Sequence, residues 1–144
     1  AFSDGAEPPP MHAAVVRRQG ADFTLIAYSR MVEVALAAAD TLAGEGIDCE
    51  VVDLRSLRPM DLVALQDSVA KTHRALIVEE DCRFAGAGAE IAAVLNEVAF
   101  FELEAPVARV AGADVPTPYN GELEAASIPR SADVAEAVRE WSVS

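Results

Sequence analysis

Residues 23–54 read FTLIAYSRMVEVALAAADTLAGEGIDCEVVDL, and this stretch decides the fold class. It opens with a short apolar, β-prone run from Phe23 to Tyr28, and Ser29 then stands where a helix N-cap is expected. Met31, Val34, Ala35, Ala38, Ala39 and Leu42 follow at i, i+3, i+4, i+7, i+8 and i+11, the spacing of one helix face, which Gly44 and Gly46 close. Cys49 to Leu54 is a second strand. Strands that are apolar at successive positions are buried on both sides, so strand, helix, strand in this order predicts a parallel pair.

The same cycle continues outward. Asp61 is expected to cap a helix that turns Leu62, Leu65 and Val69 inward, with Pro59 just ahead where a helix tolerates proline. Arg74 to Glu80 contains the strand run Ala75-Leu76-Ile77-Val78, and Glu90 to Phe101 places Ile91, Val94, Leu95, Val98 and Phe101 on one helix side. Val107 to Ala111 is a fourth strand, Val15-Val16 adds an edge strand, and Ser131 caps a last helix with Val134, Val138 and Trp141 inward. The expected fold is α/β, a doubly wound sheet with helices on both faces. Residues 1–13, with three consecutive prolines, read as a linker or tail, and residues 14–144 as the domain. Because the chain starts at Ala1 without a methionine, a fragment or a processed product is expected.

Composition narrows the function classes. Of 144 residues 52% are apolar, 29 of them alanine, enough for one core and too few for two. Twenty-four acidic residues face eleven basic ones, ten of which are arginine, for a formal charge of −13. That balance argues against binding nucleic acid, where Lys and Arg neutralise phosphates, and against an anionic membrane surface. It suits a basic partner, or simple solubility. Cys49 and Cys82 are too few for a disulfide scaffold and are expected to be buried, reduced thiols in a cytosolic-type compartment. No secretory signal or membrane-spanning run is visible.

The search for chemistry finds no self-contained catalytic set. Gly86 and Gly88 are followed by Glu90 and Ile91 where a dinucleotide loop needs its third glycine, and Glu79, Glu80 and Asp81 just before would repel a pyrophosphate. A tight strand-to-helix turn is the expected role of these glycines. Glu79 and Glu80 point to opposite faces of a strand, so one of them is expected to cap a backbone or pair with Arg83 rather than share a substrate. His73 reads as a helix-end residue, and His12 lies in the linker. Neither stands in a metal-ligand cluster, so no metal site is expected. Asp114-Val115-Pro116-Thr117-Pro118-Tyr119 is a rigid loop that is either a brace or an interaction surface.

Several segments, in order, resemble the C-terminal domain of the beta subunit of the thiamine diphosphate-dependent component of pyruvate dehydrogenase and related 2-oxo acid dehydrogenases. They are Tyr28 to Val32, Val52-Asp53-Leu54-Arg55-Ser56-Leu57-Arg58-Pro59-Met60-Asp61, Val78 to Asp81, Gly86 to Ile91, Leu103 to Val110, and Asp114 to Tyr119. The resemblance implies a transketolase C-terminal-like domain, a mainly parallel sheet of about five strands with one antiparallel edge strand. It implies thiamine diphosphate and magnesium in the parent enzyme, held by parts absent from these residues, so no catalytic or cofactor-binding residue is assigned and the fragment alone is expected to be inactive. Its implied partners are an alpha subunit, a second beta subunit and the basic subunit-binding domain of the dihydrolipoyl acyltransferase, in the bacterial cytoplasm or the mitochondrial matrix. Ala89 to Ser144 carries ten acids against three arginines. Within it Glu102 and Glu104, near the end of the helix expected over 90–101, are either a docking patch for that basic partner or a solvated helix end. Asp114, Pro116, Pro118 and Tyr119 are the candidate interface loop. The alternatives are a free-standing doubly wound module with a small ligand in the glycine loop, and the same domain of another thiamine enzyme such as transketolase.

Overall fold

The computed structural model describes residues 10–116 and 118–142. The proline-rich run up to residue 9, expected to be linker, lies outside the described residues, as does Thr117. Ten elements follow in order: β1 (Val15–Arg18), β2 (Phe23–Ala27), α1 (Met31–Ala43), β3 (Cys49–Asp53), α2 (Leu62–Thr72), β4 (Ala75–Cys82), α3 (Ala87–Val98), β5 (Ala108–Gly112), α4 (Gly121–Ser127) and α5 (Ser131–Ser142). The sheet order is β1-β3-β2-β4-β5. Only β1 is antiparallel, pairing Val15 with Asp53, while β2 runs parallel to β3 (Leu25 opposite Val51) and to β4 (Leu25 opposite Leu76). The expected fold class is the one observed.

All five residues of β2 are buried, because β2 is central and covered on both sides. Alternate strand residues sort into two cores. Leu25, Val51, Leu76 and Val78 pack with α1 and α5, whereas Ile26, Val52 and Ile77 pack with α2 and α3. Each fully buried Leu or Ile stabilises by about 1.5–3 kcal/mol, so both faces are firmly held. Trp141 packs on the first core, as its seven-residue step from Val134 requires.

Several local expectations are corrected. Leu62, expected to turn inward from α2, is exposed, and Cys82, expected to be buried like Cys49, is only half-buried. Ser29 is not the cap of α1: it adopts a left-handed φ of 55°, and Arg30 precedes the helix without a side-chain cap. α3 starts three residues earlier than expected and ends at Val98, leaving Phe101 96% exposed rather than inward. Ser131 is the first helical residue of α5, and the reciprocal bond comes instead from Asp133, whose carboxylate accepts from the Arg130 N–H at 2.8 Å. Asp61 does cap α2, accepting from the Ala64 N–H at 3.1 Å. α4 escapes a reading based on apolar periodicity because none of its residues is buried.

Candidate functional site

The chain leaves β2 through α1 on one face of the sheet and leaves β4 through α3 on the other. A crevice must therefore open where the two connections part, beyond the carboxyl ends of β2 and β4. It is present as a cleft of about 650 Å³, lined by Tyr28 and Arg30 after β2, Glu80 to Cys82 on β4, and Glu124, Ser127 and Ile128 of the α4 region. The Arg30 guanidinium donates two hydrogen bonds to Glu80 Oε2, at 2.8 and 3.0 Å, and reaches Glu124 at 3.6 Å. It thereby ties α4 to the sheet.

Under this cleft lies Glu79, fully buried. Arg109 Nη2 donates to its Oε1 at 2.6 Å, and the Gly88 N–H donates to its Oε2 at 2.7 Å. The sequence expectation of a carboxylate capping a neighbouring backbone holds. Its expected pairing with Arg83 does not, because Arg83 donates to the Arg109 carbonyl at 2.9 Å and Arg109 returns a bond to the Arg83 carbonyl at 2.9 Å. Glycine at 88 is required here, since a Cβ would sit 2.2 Å from Glu79 Oε1. A Cβ at Gly86 would sit 2.3 Å from the Cys82 carbonyl oxygen. The two glycines thus serve close packing, as expected.

Burial and the surrounding carboxylates set the electrostatics of the cleft. Burial, reinforced by the charges of Glu79, Asp81 and Glu80, pushes the Tyr28 phenol up to about 12, so it stays protonated. Burial, then Asp81, also raises the Cys82 thiol, which therefore does not become a ready nucleophile. Of the N–H groups that make a helix N-terminus attractive to phosphate, that of Gly88 at the start of α3 is taken by Glu79. Among the described residues no group of three His, Cys, Asp or Glu side chains is placed to hold a metal ion, and no helix is long and apolar enough to cross a membrane.

The opposite, amino-terminal end of the sheet carries a second buried carboxylate that sequence reasoning missed. Glu50, on β3, is 1% exposed. It accepts from Ser68 Oγ at 2.6 Å and pairs with Lys71, the only lysine in the chain. Thr24 joins the set through Ser68 Oγ at 2.8 Å and Thr72 Oγ1 at 2.6 Å. A single acid inside an apolar strand run was the available signal. Burial also pushes the neighbouring Cys49 thiol up to about 12.

The candidate residues named from the sequence divide between these ends. Glu102 and Glu104 are exposed, in the turn after α3 rather than on the helix. His73, the left-handed C-cap of α2, fixes that turn: its Nδ1 lies 2.8 Å from the Glu102 carbonyl, and its own carbonyl accepts from the Glu104 N–H at 2.9 Å. Asp114, Pro116 and Tyr119 are exposed and Pro118 is half-buried, in the loop between β5 and α4 at the carboxyl end. The structure does not bring the two sets together.

Comparison with known proteins agrees with this architecture. Residues 12–134 match the family model described as "Transketolase, C-terminal domain". The Pyruvate dehydrogenase E1 component subunit beta of Rickettsia felis is 44% identical over 133 residues, which cover 92% of this chain and 41% of that protein. The mitochondrial counterpart from Drosophila melanogaster is 49% identical over 129 residues, covering 89% and 35%. A solved split-gene transketolase, described as an inactive beta4 tetramer, superposes with a TM-score of 0.79 at 32% identity, covering 96% of this chain and 44% of that one. The chain thus spans well under half the length of these relatives.

Proposed function

The chain belongs to the transketolase C-terminal domain family, and from that premise we propose that it is the C-terminal assembly domain of the beta subunit of a pyruvate dehydrogenase. The observation that carries the reading is the 44% identity to an E1 beta subunit over 92% of the chain. In this reading the parent enzyme decarboxylates a 2-oxo acid with thiamine diphosphate and magnesium and passes the acyl group to a lipoyl arm. Residues 14–144 are the domain, and residues 1–13 lead into it. The partners are the alpha subunit, a second beta subunit and the acyltransferase's basic subunit-binding domain, in the bacterial cytoplasm or the mitochondrial matrix.

The residues present do not suit the thiamine cofactor itself. A diphosphate would meet Glu80, Asp81 and Glu124 in the cleft, and the start of α3 is already taken by Glu79. No chemical step is therefore assigned to this chain, whose contribution is to hold other chains in register. Glu102 and Glu104 offer the acyltransferase a fixed pair of exposed carboxylates with no ion pair among the described residues, and the loop carrying Asp114, Pro116, Pro118 and Tyr119 is the subunit contact.

The test uses the full-length beta subunit assembled with its alpha subunit. Glu104→Lys is expected to weaken binding of the acyltransferase's subunit-binding domain at least tenfold at low salt, while decarboxylation with an artificial electron acceptor continues unchanged. Unchanged binding overturns the docking assignment. The 144-residue chain alone is expected to show no turnover with pyruvate, thiamine diphosphate and magnesium, and measurable turnover overturns the assembly role.

A further inference from the structure

Large apolar side chains left in water are costly unless something covers them, and two of the exposed ones line the carboxyl-end cleft, with others on the segments that adjoin it. Leu57 and Val115 line it, exposed by 41% and 53%, and Leu123 on α4 is exposed by 61%. Phe84 is exposed by 80% on a turn that is unusually well fixed. The reciprocal Arg83 and Arg109 bonds hold it from one side, Cys82 Sγ lies 3.1 Å from the Phe84 carbonyl, and Ala85 beside it takes a left-handed φ of 58°. Such a turn holds the backbone that carries the ring in place, which lowers the entropy cost of using it as an anchor.

The interior of the cleft sets the chemistry of what enters. Three carboxylates, Glu80, Asp81 and Glu124, face one guanidinium, Arg30, which is already engaged by two of them. Asp81 has no ion pair among the described residues, and its Oδ1 accepts from the N–H of Cys82 at 2.8 Å. The Tyr28 phenol offers an uncharged hydrogen-bonding wall, and Ile128 and Pro116 an apolar one. An anion is excluded by charge, and a wholly apolar group would strand the carboxylates away from water. A cation on an aliphatic stem satisfies both parts of the lining.

We propose that this cleft receives an arginine or lysine side chain of a neighbouring polypeptide, whose flanking apolar residues cover Phe84, Leu57, Val115 and Leu123. A polypeptide is favoured over a free small cation because only a chain extends far enough to cover that rim. The cleft lies at the end of the sheet away from Glu102 and Glu104, so the proposal stands whether or not the acyltransferase docks there.

The test titrates the 144-residue chain with three probes while backbone amide resonances are followed: the blocked peptides acetyl-Leu-Arg-Leu-amide and acetyl-Leu-Glu-Leu-amide, and agmatine, a guanidinium on an alkyl stem. The arginine peptide is expected to shift the amides of Tyr28, Arg30, Cys82 and Ser127 saturably, with the glutamate peptide at least tenfold weaker. Asp81→Asn combined with Glu124→Gln should weaken the arginine peptide at least tenfold. Glu124→Gln alone, on a helix that buries nothing, keeps the test decisive should the double variant fold poorly, and is expected to weaken binding two- to fivefold. Equal binding of the glutamate peptide, or no saturable shift at the cleft, overturns the proposal. Agmatine binding as tightly as the arginine peptide overturns the polypeptide part and assigns the cleft to a free small cation.

Discussion

The two ends of the sheet each bury a glutamate, and they do so differently. Glu79, at the carboxyl end, is paired with an Arg109 side chain only 13% exposed and with a backbone N–H. Glu50, at the amino end, is paired with a Lys71 side chain that is 41% exposed and with a serine hydroxyl. A planar guanidinium whose Nη2 bonds both Glu79 and the Arg83 carbonyl fixes geometry, whereas a lysine reaching in from solvent supplies charge and little direction. The Glu79 pair also has a cost on its cation side, because Arg109 Nε is buried without a hydrogen-bond partner. Such a pair is better suited to holding a shape, here the Phe84 turn and the start of α3, than to adding net stability.

The contrast can be broken most forcefully at Arg109. Arg109→Met leaves Glu79 charged and buried with one backbone bond, and is expected to cost about 3–5 kcal/mol in urea unfolding. It should also broaden the amide resonances of residues 82–88, since the turn loses the bond from the Arg109 guanidinium to the Arg83 carbonyl and keeps only the one that Arg83 donates to the backbone carbonyl of residue 109. A loss below about 1 kcal/mol would make the Glu79 pair no stronger than a surface contact. At the other end Lys71→Met is expected to cost less, about 1–2 kcal/mol, because Glu50 keeps its Ser68 bond and the space vacated by lysine opens to water. An equal loss in both variants would erase the distinction drawn here.

Much of this arrangement is legible in the sequence, and particular residues show where legibility stops. The apolar step from Met31 to Leu42 and the buried runs at Phe23, Cys49 and Ala75 identify α1 and three strands, because periodicity is a local property. Asp61 is found because a cap bonds within its own turn. Glu79 can be placed at a strand end, but its partner Arg109 stands 30 residues away and becomes a neighbour only because β5 lies beside β4. The nearer Arg83 is the natural guess and the wrong one. α4 is invisible to a pattern search because a helix that covers a cleft without entering the core has no apolar stripe.

The smallest expected effect sharpens the same comparison from the surface. Arg139 donates two bonds to the Glu45 carboxylate, at 2.6 and 2.8 Å, and the first of these effects holds that carboxyl below its ordinary 4.5. The folded value is lower than the unfolded one, so the pair's stabilisation is present above about 4.5 and is lost as pH falls through the folded value. Glu45→Gln should therefore unfold slightly earlier than the parent chain in urea at pH 7, with the difference closing by pH 3. A gap that persists at pH 3 would mean the glutamine acts through something other than charge. Neither buried pair should be matched by this exposed one.

What the sequence determined by itself is the order and kind of the main elements, the acidic balance that turns away polyanions, and the family to which the segments belong. The first two follow from residue spacing and composition and the third from the likeness of whole segments to a known family, none of which needs knowledge of distant contacts. Only the tertiary structure decided that Glu102 and Glu104 stand at one end of the sheet while the proline loop and the cleft stand at the other. It alone also decided that Arg109 rather than Arg83 neutralises Glu79, and that Phe101 faces water. Each of those outcomes depends on which strands become neighbours, and strand order is set by packing over the whole sheet rather than by any local run of residues.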